Sequence, residues 1–445
     1  MNAELRRELR TTSHLAAPLI LGQLSTGLTT FVDNVIAGHH STRTLASVTV
    51  GTAVMWLPLS AVLGTLMSIP PLVSALHGAK KPDEIARTFR QSLWLGLALG
   101  PLLFAFVSLA PLSFARFGIS PEIAPGATAF LHGMRWGLPA FTLLLVMRYT
   151  SDGLGHTLPT MLLGFGGLVL LLPLGYVLTF GRFGIPELGA SGLGLASATV
   201  IWCQALALAG YLARARRFRS LGLFARFEGP RASELWQLLG TGLPIGFTVF
   251  LEGSSFILAA LLIGRMGEVP AAAHQVAINV ASLCFMIPLG LSEATTVRVG
   301  FALGARDGAA LRRSALSGFL LLVATQLSTF LVLFFLKGKI VTLYTRDAAV
   351  LLLAERLLLY AALFQFSDGI QVLSNGALRG LRDTRVPMVL AAIAYWAVGI
   401  PLGAHLAFGR GLGPSGMWLG LIAGLTLAAV LLGSRFARRV GRALG

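Results

Sequence analysis

Twelve stretches of this sequence run for about 20 residues or more with few or no charges, the length a helix needs to cross a bilayer. In lipid, every backbone N–H and C=O has to be satisfied inside the element, so such stretches fold as spanning helices. Their approximate extents are 14–38, 45–77, 91–114, 127–148, 157–181, 188–213, 235–264, 270–303, 314–336, 349–378, 386–409 and 411–434. The second, third, fifth, sixth, ninth and twelfth have no Asp, Glu, Lys or Arg in their interiors. Only 12% of the 445 residues are charged, against about 25% in a soluble chain. Mean hydropathy is +0.78. A soluble enzyme, a nucleic-acid module and a disordered tail are all disfavoured, and the expected fold is an all-α polytopic membrane protein.

The net charge of +17 would suggest a nucleic-acid partner in a soluble protein. Here Lys and Arg are better read as topology signals, because they collect in cytoplasmic loops. With the N-terminus inside, 25 of the 35 fall on the inner side, so both termini are expected in the cytoplasm. Nucleic acid is not expected as a partner. Residues 1–10 are basic, and the apolar stretch beyond them runs to about Gly38. That is far longer than a signal core of about 7–15 residues, so it reads as the first span. Cys203 and Cys284 both lie in apolar stretches and indicate no disulfide framework.

The chain also repeats. At a shift of 226, Pro18 falls on Pro244, Gly38 on Gly264, and Gly78-Ala79-Lys80 on Gly304-Ala305-Arg306. At 227, Gly153-Leu154 meets Gly380-Leu381, and Thr157 meets Thr384. At 224, Leu188-Gly189-x-Ser191-Gly192 meets Leu412-Gly413-x-Ser415-Gly416. A six-helix repeat returns to the side it entered from. Two such lobes are therefore expected to be related by a pseudo-twofold axis along the membrane normal. The expected division is an N-lobe over 1–213, a basic cytoplasmic linker over 214–234 and a C-lobe over 235–445. Transporters place substrate and coupling ions between such repeats. There is no His-Glu-x-x-His pattern and no Gly-x-Ser-x-Gly elbow, and no enzyme is expected.

Of the 18 acidic residues, four lie well inside spans: Asp33, Glu252, Glu293 and Asp368. A charge at membrane depth costs at least about 2.5–3.5 kcal/mol, so it marks function by default. Three of them sit in polar stripes at helical spacing. Gln23, Thr26, Thr30 and Asp33 share one face of the first span. Thr241, Thr248, Glu252 and Ser255 follow in the seventh. Gln365, Asp368, Gln371 and Asn375 follow in the tenth. Each carboxylate can take up a proton, or hold a cation such as Na⁺ with neighbouring oxygens. Either makes a coupling site. Glu293, with Arg298 five residues on, and His274 are weaker candidates, and His274 reads first as a packing residue. Pro18, on the Asp33 helix, is a candidate kink.

Several segments resemble the MATE (multidrug and toxic compound extrusion) family, its NorM-like branch most closely. They are Phe31-Val32-Asp33-Asn34-Val35-Ile36-Ala37-Gly38, Gly242-Leu243-Pro244 through Phe250-Leu251-Glu252, and Ala273-His274-Gln275-Val276-Ala277-Ile278-Asn279. Val297-Arg298-Val299-Gly300, Phe364-Gln365-Phe366-Ser367-Asp368 and Ala377-Leu378-Arg379-Gly380 through Asp383-Thr384 continue the pattern. The resemblance implies a V-shaped fold of two six-helix lobes. It implies antiport of amphipathic, often cationic, compounds against H⁺ or Na⁺. Asp33 matches the family's N-lobe carboxylate, and Glu252 and Asp368 its C-lobe cation-binding pair. Where family members often carry Asn after a Pro-Leu pair in the fifth span, this chain has Gly175 after Pro173-Leu174.

The expected function is thus a cation-coupled multidrug antiporter of the inner membrane, working by alternating access as a monomer. Its expected partners are small-molecule drugs or metabolites and the lipid bilayer, with no cofactor beyond the coupling ion. The alternative is a lipid-linked precursor flippase of related two-lobe architecture. Such proteins hold phosphates with cavity Arg residues, whereas the interior charges here are mostly acidic. Stoichiometric counterflow of H⁺ or Na⁺ would exclude an uncoupled channel or receptor.

Overall fold

The computed structural model describes residues 3–116 and 118–442, and among these there is no strand. Sixteen α-helices follow in order. They are α1 (Ala3–His40), α2 (Thr42–Leu66), α3 (Ile69–Gly78), α4 (Pro82–Leu109), α5 (Ala124–Met134), α6 (Leu138–Gly153), α7 (Leu158–Phe180) and α8 (Gly189–Arg214). Then come α9 (Arg216–Arg219), α10 (Ala232–Gly264), α11 (Glu268–Gly304), α12 (Gly308–Thr342), α13 (Ala348–Gly380), α14 (Arg385–Ala392), α15 (Ile400–Ala404) and α16 (Gly413–Arg442). Twelve helical segments among the described residues are long and apolar enough to cross a membrane, one for each run expected from sequence. The fold is all-α and polytopic.

Four spans are composite, the third because α4 runs on into a 3₁₀ turn at Ala110–Ser113. The second joins α2 and α3 across Met67 and Ser68, just ahead of Pro70 and Pro71. The fourth joins α5 and α6 through a 3₁₀ turn at Arg135–Gly137. The eleventh runs from α14 through a π-helical stretch, Ile393–Gly399, into α15 and a second π stretch, His405–Gly409. Side chains start several helices: Ser41 accepts from the Thr44 amide, Asp307 from Ala310, and Asp347 from Ala349 and Val350.

The repeat reaches the backbone. Lys80 and Arg306, one shift of 226 apart, both take φ 56°, each directly after the residue that caps its helix, Ala79 or Ala305. Left-handed geometry costs a non-glycine residue about 1–2 kcal/mol, so its recurrence at matched sites marks one turn used twice. Gly189 and Gly413 start α8 and α16 with φ 53° and 57°.

By contacts the chain forms two compact units, one of residues 21–246 and one of residues 1–20 with 247–445. Thus α1 and α10 each give their first turns to one unit and the remainder to the other. In the second unit, Leu15, Ala16 and Leu19 pack with Leu291, Ala294, Val297, Leu322 and Leu373. Glu8 pairs with Arg298 and accepts from Ser314 Oγ at 2.8 Å. Arg313 donates to Glu4 at 2.9 Å. A Cβ on Gly290 would stand 2.6 Å from the Ile20 side chain.

In the first unit, Arg90 donates to Glu228 at 2.7 Å. Gln91 donates to the Gly229 carbonyl at 2.9 Å and accepts from the Arg231 amide at 2.8 Å. A Cβ on Gly64 would stand 2.3 Å from the Gly246 Cα. Positions 20 and 64 meet 246 and 290 at the same shift of 226, so the two glycine crossings are copies of one contact.

Candidate functional site

In the unit of 1–20 with 247–445, α10, α13 and the π stretch of the eleventh span bring Glu252, Asp368, Gln371 and Tyr395 together. Gln371 Nε2 donates to Glu252 Oε1 at 3.1 Å and to the Tyr395 hydroxyl at 2.5 Å. Asp368, one turn earlier on α13, is buried, and its charge and that of Glu252 are close enough to interact. Ser255 Oγ donates to the Glu252 carbonyl at 2.7 Å. Trp396 Nε1 donates to the Leu251 carbonyl at 3.1 Å, fixing the π stretch against α10. A small cleft is lined by Glu252, Ser255, Phe256, Tyr395, Leu421 and Gly424, among others. Its open core is about 10 Å³, the space of one water-sized particle.

The donor count is telling. Gln365 donates to the Ala281 carbonyl at 3.0 Å, and Gln326 donates to the Gln365 carbonyl at 2.5 Å. That leaves Asp368 Oδ1, Gln371 Oε1, Gln365 Oε1 and Gln326 Oε1 buried with no hydrogen-bond donor. Buried acceptors without donors are costly, and a bare buried carboxylate is costlier still. A proton or a small cation removes that cost. Among the described residues no three His, Cys, Asp or Glu side chains converge as metal ligands, so a mixed carboxylate–amide–hydroxyl oxygen set is what these groups offer.

In the unit of 21–246, Asp33 on α1 is half-buried and accepts from Ser197 Oγ of α8 at 3.4 Å. Thr26 and Thr30 of the same stripe are exposed, and Thr26 Oγ1 donates to the Gly22 carbonyl at 3.2 Å. Gln23 is half-buried. Pro18 lies within α1, which continues through it.

The chain matches the MatE family model over residues 18–177 and 244–404. It belongs to the MATE family.

This MATE chain is 59% identical over 437 residues to a probable multidrug resistance protein NorM of Xanthomonas campestris pv. campestris, covering 98% of itself and 95% of that relative. It is 54% identical to the same-named protein of Xylella fastidiosa, over 96% and 92% of the two chains. Against multidrug resistance protein PmpM of Pseudomonas aeruginosa the identity is 39%, over 98% and 93%. Among solved structures, a MATE protein in complex with MaD3S superposes with a TM-score of 0.90 at 18% identity, covering 98% of this chain and 97% of that one. The eukaryotic MATE transporter AtDTX14 gives 0.88 at 20% identity, over 99% and 98%. The protein is therefore a multi-pass membrane transporter and not an enzyme.

Within this MATE chain, the remaining candidates fall elsewhere. His274 is buried on α11, where its Nδ1 accepts from Trp418 Nε1 at 3.2 Å and its ring meets Trp418 edge-on. Glu293 is half-buried on α11, and neither residue lines the cleft. Thr248 is buried and Asn375 half-buried on the helices that carry Glu252 and Asp368. Gly175 is buried, and a Cβ there would stand 2.8 Å from Ile36 Cδ1 and 3.3 Å from Leu193 Cδ1. Those two side chains occupy the room an Asn would need beside α1.

Three groups were not singled out from sequence. Tyr395 and Trp396 sit in an apolar run, where aromatic residues ordinarily read as packing. Arg379, in the last turn of α13, read as a loop residue. It is in fact buried, donates to Ser292 Oγ at 3.0 Å, and lies near enough to Glu252 for their charges to attract.

Proposed function

We propose that the protein is a multidrug exporter of the cell's inner membrane. It exchanges amphipathic, often cationic, compounds for inward-moving H⁺ or Na⁺ by alternating access, with both termini in the cytoplasm. Glu252 and Asp368 hold the coupling ion, and Gln365, Gln371, Ser255 and Asn375 furnish the polar surroundings. Asp33, with Ser197 and the stripe of Gln23, Thr26 and Thr30, forms a second carboxylate site that favours cationic substrates. The observation that carries this reading is the pair of carboxylates among buried oxygens that lack donors. Such a group is acceptable in the membrane only when a cation is taken up, so filling and emptying it ties the ion to the transport cycle. Acidic interior charge suits cations and not lipid phosphates. Each charge crossing 100 mV supplies about 2.3 kcal/mol.

The test is drug export from liposomes under an imposed pH gradient and, separately, an imposed Na⁺ gradient. Asp33→Asn, Glu252→Gln and Asp368→Asn are each compared with the parent. Loss of coupling in the Glu252 and Asp368 variants is expected. Full coupled activity in all three would sink the mechanism.

A further inference from the structure

Tyr395 brings a hydroxyl to Gln371, and nothing in the sequence pattern flagged it. Its ring is buried within the π-helical stretch, and the neighbouring Trp396 makes a separate bond, from its Nε1 to the Leu251 carbonyl. π-Helical turns inside α-helices occur often at functional sites. The phenol oxygen already accepts from Gln371 Nε2, so its own proton is left to give. The groups whose charges reach it are Glu252 and Asp368. Glu252 shares the Gln371 amide with it and the cleft around it.

We propose that Tyr395 is the positioning residue that lets the coupling cation leave. When the cation departs, the phenol O–H donates to the emptied carboxylate pair, while Gln371 Nε2 holds the phenol oxygen and Glu252 in register. When a cation enters, it replaces that hydrogen bond. The phenol therefore favours the cation-free state and weakens cation binding enough for release. This inference rests on Glu252 and Asp368 being the coupling site, so the experiment separates the two claims.

Parent, Tyr395→Phe, Trp396→Phe and Glu252→Gln are reconstituted in liposomes. Drug export is measured as a function of the coupling cation, H⁺ and Na⁺ in separate series. Tyr395→Phe loses one oxygen and keeps the ring. Its half-saturating cation concentration is expected to fall about tenfold or more, the worth of one hydrogen bond to a charged group, with a slower maximal rate. Trp396→Phe disturbs the same π stretch without touching the hydroxyl, and should leave the half-saturating concentration within about twofold of the parent. Glu252→Gln should lose cation dependence. If Glu252→Gln keeps it, the coupling site itself is misassigned. If Glu252→Gln loses it while Tyr395→Phe is unchanged or needs more cation, the role given to Tyr395 is overturned. A shift of the same size in Trp396→Phe would reduce Tyr395 to a structural residue.

Discussion

The eleventh span and α16 cross backbone to backbone in the unit that holds the cleft, and a single methyl group tests that crossing. A Cβ on Gly420 would stand 2.2 Å from the Gly403 Cα, 2.3 Å from its nitrogen and 2.7 Å from the Gly399 carbonyl oxygen. Ordinary contact begins near 3.4 Å, so Gly420→Ala has to part α15 from α16 by about 1.2 Å. The obstacles are backbone atoms, which cannot rotate aside as a side-chain tip could. That places the change at the upper end of overpacking costs, about 2–3 kcal/mol. Melting of the purified protein in detergent should drop by about 3–5 °C.

The same displacement reaches the site. Gly399 closes the π stretch that carries Tyr395, and Gly424, one turn past Gly420, lines the cleft. A shift near 1 Å at positioned groups can cost about a hundredfold in rate, so coupled export should fall at least tenfold at equal protein level. Gly240→Ala on α10 is the control. Nothing lies within 4 Å of its added Cβ, and alanine in a helix should be neutral or stabilising by about 0.5–1 kcal/mol. A Gly420→Ala protein that melts with the parent and exports at the parent rate would refute the close crossing and its link to the site.

Other expectations follow from the same contacts. Glu228 is held below the usual carboxylate range by its hydrogen bond from Arg90, aided by the charges of Arg90, Arg231 and Arg87. Its folded-state value being depressed, docking of the connector on α4 is complete above the ordinary Glu value, about 4.3, and is lost as pH falls through the lowered one. Protease cutting within 221–231 should rise at that acid step, and Glu228→Gln should abolish the step. Glu8→Ala leaves Arg298 without its carboxylate at a half-buried site, which should cost about 1–2 kcal/mol of stability. The exchange Glu8→Arg with Arg298→Glu should recover part of that loss, and a double variant no better than the single would discount the pair. Gly175→Asn should lower the melting midpoint unless Ile36 is shortened to Ala, because Ile36 Cδ1 and Leu193 Cδ1 fill the space it needs. Equal midpoints for Gly175→Asn with and without Ile36→Ala would contradict that packing.

The spans were legible because lipid leaves a chain so few choices: a run of twenty apolar residues has one way to satisfy its backbone. The carboxylates stood out for the same reason, since an acid in such a run has no ordinary excuse. Glu252 and Asp368 lie on different helices, and sequence spacing could not show that Gln371 reaches across to Glu252. Nor could it show the π stretch. Residues 391–399 read as apolar helix, and only backbone geometry reveals the widened turn that sets Tyr395 and Trp396 against two neighbours. Arg379 was hidden by two residues of helix. The apolar run ends near residue 378, while α13 continues to Gly380 and carries the guanidinium inward. The turn pair of Lys80 and Arg306 was visible as a repeat of letters, but its shared left-handed backbone was not.

The exchanged start of α1 has a consequence in time. Glu4, Glu8 and Thr12 are made well before their partners Arg313, Arg298, Ser314 and Ser317, which follow 290 to 309 residues later. At about 5–20 residues per second, that is a wait of about 15 s to 1 min. Until α11 is in place, the opening turns of α1 lack Arg298, and Leu15, Ala16 and Leu19 lack the side chains they pack on. The unit of 1–20 with 247–445 is thus completed late, although it uses a segment made before the whole of the other unit. A chain cut at the connector should leave each piece missing a helix end that only the other supplies. The two pieces are expected to be unstable when made alone and to become stable when made together in one cell.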